Sequence, residues 1–310
     1  MMTIQKPSRP ITRRTTLAGL GAGGLGLALA GRGTRVGAQT PDASLETNDV
    51  VYGTVAGVDL LLDVARPPER SDPRPAVVLV HGGGLTAMGR YEMSGSARGL
   101  AEAGYVTFNI DYRLFSALDG TNPWPAQLDD AQRAVRWVRA NAATYGVDPD
   151  RVGALGWSSG GQLAAFLGTR DTRDNTDPAL ATFESRVSCV VTLGGIFDMT
   201  IPYKNPSDTA NDQAVLGGSP DATPDAEAYR DFSPIAFVDQ DSAAFLIMQE
   251  GSEDVIPYEH SRRMVAALQA AGSQVSYGWF PGFDHGSWGN WASAAPETLA
   301  FFERHLNPEQ

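Results

Sequence analysis

Gly156-Trp157-Ser158-Ser159-Gly160 sets a serine between glycines two positions before it and two after, and the apolar run 152–155 leads straight into it. On a turn that tight, followed at once by a helix, a serine hydroxyl stands clear of the chain beside the positive end of the helix dipole. That setting suits a nucleophile aimed at a carbonyl carbon. A serine is weak at its ordinary pKa, so it needs a base, and the base needs a carboxylate to orient it. The chain has four histidines. His81 belongs to a glycine run, His260 to a helical pattern, and His305 to the polar end of the chain. His285, in the loop 281–286 after the last expected strand, is therefore the expected base. Asp254, in the loop that follows the run 244–248, is the expected acid, which gives the chain order Ser158, Asp254, His285.

Attack on a carbonyl also develops negative charge on its oxygen, and preorganised N–H donors must meet it. His81-Gly82-Gly83-Gly84 closes the apolar run 76–80 and can turn its amides into a cavity without Cβ obstruction. Gly82 and Gly83 are the expected oxyanion donors, joined by the N–H of Ser159. His81 and Gly84 are expected to support that loop and to take no part in proton transfer. No Lys-Ser/Thr pair follows the glycines, so a phosphate-cradling loop is set aside.

These residues need a scaffold that brings distant loops to one edge. Runs at 50–55 and 59–65, split by Ala56-Gly57, read as an antiparallel hairpin. Further strands are expected at 76–80, 105–110, 152–155, 187–193, 244–248 and 275–280. Leu128, Ala131, Val135, Val138 and Ala142 recur at helical spacing after Pro125, and helices are also expected after the serine, from 257 to 271 and from 296 to 305. Alternating strands and helices imply an α/β fold, with a mostly parallel central sheet, helices on both faces and the N-terminal antiparallel hairpin. A single catalytic domain is expected over 49–308. The segment 197–240, rich in Pro, Asp, Asn and Gly, is expected as an insertion over the strand ends.

The 310 residues are 42% hydrophobic, enough for a large core, and the formal net charge of −12 repels phosphate backbones and anionic lipid. Nucleic acid is therefore not an expected partner. A lone cysteine, Cys189, excludes an internal disulfide and four-cysteine metal sites, and neither cofactor nor metal is expected. Residues 1–38 hold basic residues and no acid: Arg13-Arg14 precede a 14-residue apolar stretch, 17–30, that is too short to span a bilayer. The segment resembles a twin-arginine export signal, with cleavage expected after Ala38, a polar linker at 39–48 and a periplasmic or extracellular destination. Stable membrane insertion of the mature chain is not expected, and nothing in the sequence sets an oligomeric state.

The glycine loop, Asp111-Tyr112-Arg113-Leu114, the helix ending Arg136-Trp137-Val138-Arg139, residues 145–151, the serine turn and Ser233-Pro234 together resemble the α/β-hydrolase superfamily. Within it, the chain is similar to HGGG-type bacterial carboxylesterases and lipases of the hormone-sensitive-lipase-like and feruloyl-esterase-like group. The resemblance implies a cofactor-free serine hydrolase acting on small carboxylic esters through an acyl-enzyme on Ser158. It also implies that Asp111-Tyr112-Arg113 buttresses the oxyanion loop. An amidase or peptidase would use the same triad, and a non-catalytic binding module would keep the same fold. Relatives carry His-Gly before the acid loop, where this chain has Glu250-Gly251. Counting from Gly251 selects Asp254, and counting back from Pro257 selects Glu253. Trp157, Leu85, Met88, Tyr203, Tyr229, Trp288 and Trp291 are candidate lining of an acyl or alcohol pocket, and with no long apolar lid helix in the pattern the expected substrates are short- to medium-chain or aromatic esters.

Overall fold

Apolar runs without polar interruption belong in the middle of a sheet that is covered on both faces. The computed structural model describes residues 45–68, 73–173, 176–203, 205–217, 224–252 and 255–307. Among them, eight strands form one sheet: β1 (Leu45–Val55), β2 (Val58–Arg66), β3 (Arg74–Val80), β4 (Val106–Ile110), β5 (Val147–Trp157), β6 (Cys189–Leu193), β7 (Ala244–Glu250) and β8 (Val275–Phe280). Their spatial order is β1-β2-β4-β3-β5-β6-β7-β8. The pairings β1–β2 and β2–β4 are antiparallel, and every other pairing is parallel.

The helices are α1 (Ser94–Glu102), α2 (Ala126–Ala140), α3 (Ala142–Tyr145), α4 (Ser159–Thr169), α5 (Pro206–Gly217), α6 (Ala226–Asp231), α7 (Glu259–Ala271) and α8 (Trp291–Leu306). Side chains of a strand alternate between faces, and β3 shows it directly. Ala76, Val78 and Val80 enter one core with Leu128 and Val135 of α2, Leu163 of α4, and Met264 and Leu268 of α7. Val77 and Leu79 enter the other with Leu100 of α1 and Phe301, Phe302 and Leu306 of α8. The three layers follow from that alternation. Cys189 is fully buried in β6, and burial pushes its thiol pKa up.

Two sequence expectations change, and a third is not reached by the structure. The expected signal segment 1–38 lies outside the described residues. Residues 45–48, expected as linker, pair instead with β2 through Leu45↔Arg66, Glu46↔Ala65 and Thr47↔Val64. An edge strand needs only one partner and leaves a face to water, so polar residues serve there as well as apolar ones. α8 begins at Trp291 instead of near Pro296, because Asn290 caps it by accepting the Ala292 N–H. No helix among the described residues is long and apolar enough to cross a membrane.

Candidate active site

Ser158 occupies the turn between β5 and α4, at φ 57° and ψ −125°. A non-glycine residue rarely holds a positive φ, and this one is pinned by its neighbours. Its N–H donates to Leu193 O at 2.9 Å and its carbonyl accepts the Gln162 N–H at 3.2 Å. The flanking glycine Gly160 is required by contact: a Cβ there would sit 2.2 Å from Val80 O and 2.3 Å from His81 O. Gly160→Ala is therefore expected to push the serine turn off β3. It should lower stability by more than about 2 kcal/mol in urea unfolding and remove reactivity of Ser158 towards a fluorophosphonate.

His285 Nε2 lies 2.9 Å from Ser158 Oγ, and the two residues come from loops 127 positions apart. Its Nδ1 lies 2.6 Å from Glu250 Oε1. Asp284 starts the turn that holds this histidine, forming a reciprocal capping pair with Ser287. Trp157 Nε1 donates to the His285 carbonyl at 3.2 Å, and its ring lies 5.9 Å from the imidazole.

The carboxylate seen on the imidazole among the described residues is Glu250, which the sequence did not single out as the acid. Asp254 and its alternative Glu253 lie outside the described residues. Glu250 ends β7 and is fully buried. Its preceding residue Gln249 accepts from Ser261 of α7 through Oε1 at 2.5 Å and donates from Nε2 to Glu250 Oε2 at 3.3 Å. The sequence signal for Glu250 was an acidic residue attached directly to an apolar parallel strand. An ionisable group so placed is costly unless it has a partner.

His81 is buried and is no base for Ser158. Its ring stacks on Tyr112 at 4.2 Å, and its Nδ1 lies 2.7 Å from Gly82 O. Burial lowers its pKa, and a neutral ring donating from Nδ1 fits that contact. The Tyr112 hydroxyl donates to His81 O at 3.0 Å, and Arg113 holds the fully buried Asp130 through two bonds of 2.8 Å. Asp111 in turn pairs with Arg90. Gly82 packs against Ser158, since a Cβ on it would meet Ser158 Cβ at 3.0 Å. Gly83 holds φ +109°, where an added Cβ would strike Ala87 O at 2.2 Å. The Ser159 N–H, at the first position of α4, has no partner within the helix. Gly84 O accepts from Asn211 Nδ2 at 2.9 Å, which ties the loop to α5.

A cavity of about 210 Å³ opens over Ser158 and His285, walled by Gly83, Gly84, Met88, Trp157, Ile196, Tyr203, Asp208, Asn211, Asp212, Val255 and Ile256. The segment 197–240 therefore supplies one wall. Of the candidate lining residues, Trp157, Met88 and Tyr203 reach the cavity. Leu85 is buried in the core, where its carbonyl accepts the Phe115 N–H, and Tyr229 bonds Gln213. Trp288 packs edge-on against Phe280 and Phe283, and Trp291 lies against Gly99 of α1. Those four pack or bond elsewhere and do not line the cavity. Among the described residues, no group of three or more His, Cys, Asp or Glu is arranged to hold a metal ion.

His260 also proves structural. It is fully buried on α7 and its Nδ1 accepts both the Phe197 and Asp198 N–H groups at 3.2 Å. Burial pushes its pKa down to about 4. The folded state therefore prefers the neutral ring, and that preference is full above the unfolded value near 6.5 and lost as pH falls through about 4. A loss of up to about 3 kcal/mol between pH 6.5 and 4 is expected from this residue. Urea midpoints across that range check it: His260→Asn, which keeps an acceptor near Nδ1 but does not titrate, is expected to flatten the slope.

Comparison with known proteins places these features in a group. The BD-FAE family model matches residues 62–268. Esterase LipQ of Mycobacterium tuberculosis is 28% identical over 253 residues, covering 77% of this chain and 57% of that protein. Esterase LipC of the same organism is 31% identical over 236 residues, covering 73% and 56%. The chain thus spans a little over half the length of these curated relatives. Among solved structures, a truncated carbohydrate esterase from gut microbiota superposes with a TM-score of 0.71 at 26% identity, covering 86% of this chain and 98% of that one. The acetyl ester-xyloside bifunctional hydrolase of Caldicellulosiruptor lactoaceticus superposes with a TM-score of 0.65 at 25% identity, covering 79% and 84%.

Proposed function

We propose, for a chain that belongs to the BD-FAE family of α/β-hydrolases, that it is a serine esterase hydrolysing small carboxylic esters through an acyl-enzyme on Ser158. One observation carries the reading: a single imidazole lies 2.9 Å from the serine oxygen on one side and 2.6 Å from a buried carboxylate on the other. The esterase names of the relatives and structural neighbours point the same way.

The steps follow from that geometry. Ser158 Oγ attacks the ester carbonyl carbon while His285 Nε2 takes its proton. The Gly82, Gly83 and Ser159 N–H groups receive the oxyanion of the tetrahedral intermediate. The intermediate collapses, the carbon–oxygen bond to the alcohol breaks, and His285 returns its proton to that alcohol. A water molecule then repeats the attack on the acyl-enzyme, freeing the acid and restoring the serine. Glu250 accepts from Nδ1–H, fixing the tautomer and offsetting the imidazolium charge. A cavity near 210 Å³ favours short or medium acyl groups.

The test is a matched 4-nitrophenyl ester and 4-nitroanilide of the same short acid. Ester turnover is expected to exceed anilide turnover at least a hundredfold, with a fluorophosphonate label found on Ser158. Comparable rates would favour the amidase reading, and no label with no turnover would favour a binding module. The export reading is tested by sequencing the N-terminus of the protein produced in a bacterium with a twin-arginine pathway. A mature start after Ala38 in the periplasm or medium supports it, and an intact start in the cytoplasm overturns it.

A further inference from the structure

The wall supplied by α5 carries a group that the proposed steps do not use. Asp212 follows Asn211, the residue tied to the oxyanion loop, and faces the same cavity as Ser158 and His285. It is 7% exposed, and its Oδ2 is buried with no hydrogen-bond partner. Burial pushes its carboxyl pKa up to about 7; the Tyr203 hydroxyl draws it down, Asp208 pushes it up, and Asn211 draws it down again. A fold gains nothing by burying a carboxyl oxygen without a donor, and such groups persist where function requires them.

The chemistry of the surroundings narrows the missing donor. Ile196, Val255, Ile256, Met88 and Trp157 make much of the cavity wall apolar, with Tyr203, Asp208 and Asn211 as polar groups beside Asp212. Bringing a full ammonium charge into such a space is expensive, whereas a neutral hydroxyl enters at modest cost if it finds an acceptor. We propose that Asp212 is a specificity-determining residue of the ester site, its Oδ2 accepting a hydrogen bond from a hydroxyl group carried by the substrate. The inference rests on the esterase reading and deepens it: the favoured substrates are esters whose acyl or alcohol part bears a free hydroxyl within the cavity.

Two isosteric pairs test it and separate the two sources of the hydroxyl. On the acyl side, 4-nitrophenyl 3-hydroxybutyrate is compared with 4-nitrophenyl 3-methylbutyrate. On the alcohol side, 2-hydroxyethyl butyrate is compared with propyl butyrate. In at least one pair the hydroxyl member is expected to lead by about tenfold or more in kcat/KM, mainly through KM. In Asp212→Leu that ratio is expected to fall close to one. Asp212→Asn keeps an acceptor oxygen in nearly the same shape and is expected to retain part of the preference, a grading that a merely structural role would not produce. A wild-type ratio near one in both pairs overturns the proposal, as does a ratio that survives in Asp212→Leu, or in Asp212→Ala should the leucine chain not fold. If neither member of either pair is turned over by the wild type, the esterase reading itself has failed.

Discussion

Ser158→Ala is expected to lower kcat/KM for an activated ester by roughly five to six orders of magnitude while leaving the fold intact. The side chain is small, and what shapes the turn is its backbone: the N–H bond to Leu193 O, the carbonyl bond to Gln162 and the close approach of Gly160 to β3. None of these needs the hydroxyl. Stability is therefore expected to stay within about 0.5 kcal/mol. Residual turnover should be a direct attack by water helped by the oxyanion donors, and it should be insensitive to fluorophosphonate. Stopped assays with purified variant, together with an unfolding midpoint, check both halves of the expectation. A variant that keeps even a tenth of wild-type activity removes Ser158 from the chemistry.

Glu250→Gln carries the second large effect, a loss of about 10⁴-fold in kcat. The amide has nearly the shape of the carboxylate, so the imidazole stays near its place. Yet an amide offers Nδ1 either a donor or a neutral acceptor, which disturbs the tautomer and removes the Glu250 charge from beside the imidazolium. Because the 2.6 Å contact is between Nδ1 and a fully buried oxygen, solvent cannot replace it. Asp254→Asn is the discriminating companion, with an expected loss at least a hundredfold smaller. The reverse ranking would return the orienting role to Asp254. Measuring the pH profile of kcat for both variants adds a second reading, since only removal of the orienting carboxylate lowers the pKa of the catalytic imidazole.

What could be read before folding was whatever depends on local chemistry. The glycines around Ser158 announce a close approach, and the fold confirms the approach as contact with the carbonyls of Val80 and His81. Unbroken apolar runs announce a parallel sheet, and the sheet is there with both faces covered. The candidates for the pocket wall were less legible. Trp288 and Trp291 are aromatic and lie near His285 in the chain, yet they pack into the core beneath it. Nothing in their spacing distinguishes an aromatic that lines a cavity from one that supports it.

Glu250 marks where local reasoning ended. A loop rich in acids, Ser252-Glu253-Asp254, drew the expectation towards itself, while the carboxylate seen on the imidazole ends the strand before it. The end of β7 joins two layers: Gln249 accepts from Ser261 of α7 and donates to Glu250, and Glu250 meets the His285 imidazole. The amino-acid sequence by itself determined the nucleophile turn, the glycine loop and the sheet that carries them, because these depend on short-range sterics and on hydrophobic periodicity. Which carboxylate meets the imidazole, and that Asp208 and Asp212 of α5 face the same cavity, was decided only when strands and loops far apart in the chain were packed together. Pairing of that kind is a property of register and layer, and no single stretch of residues contains it.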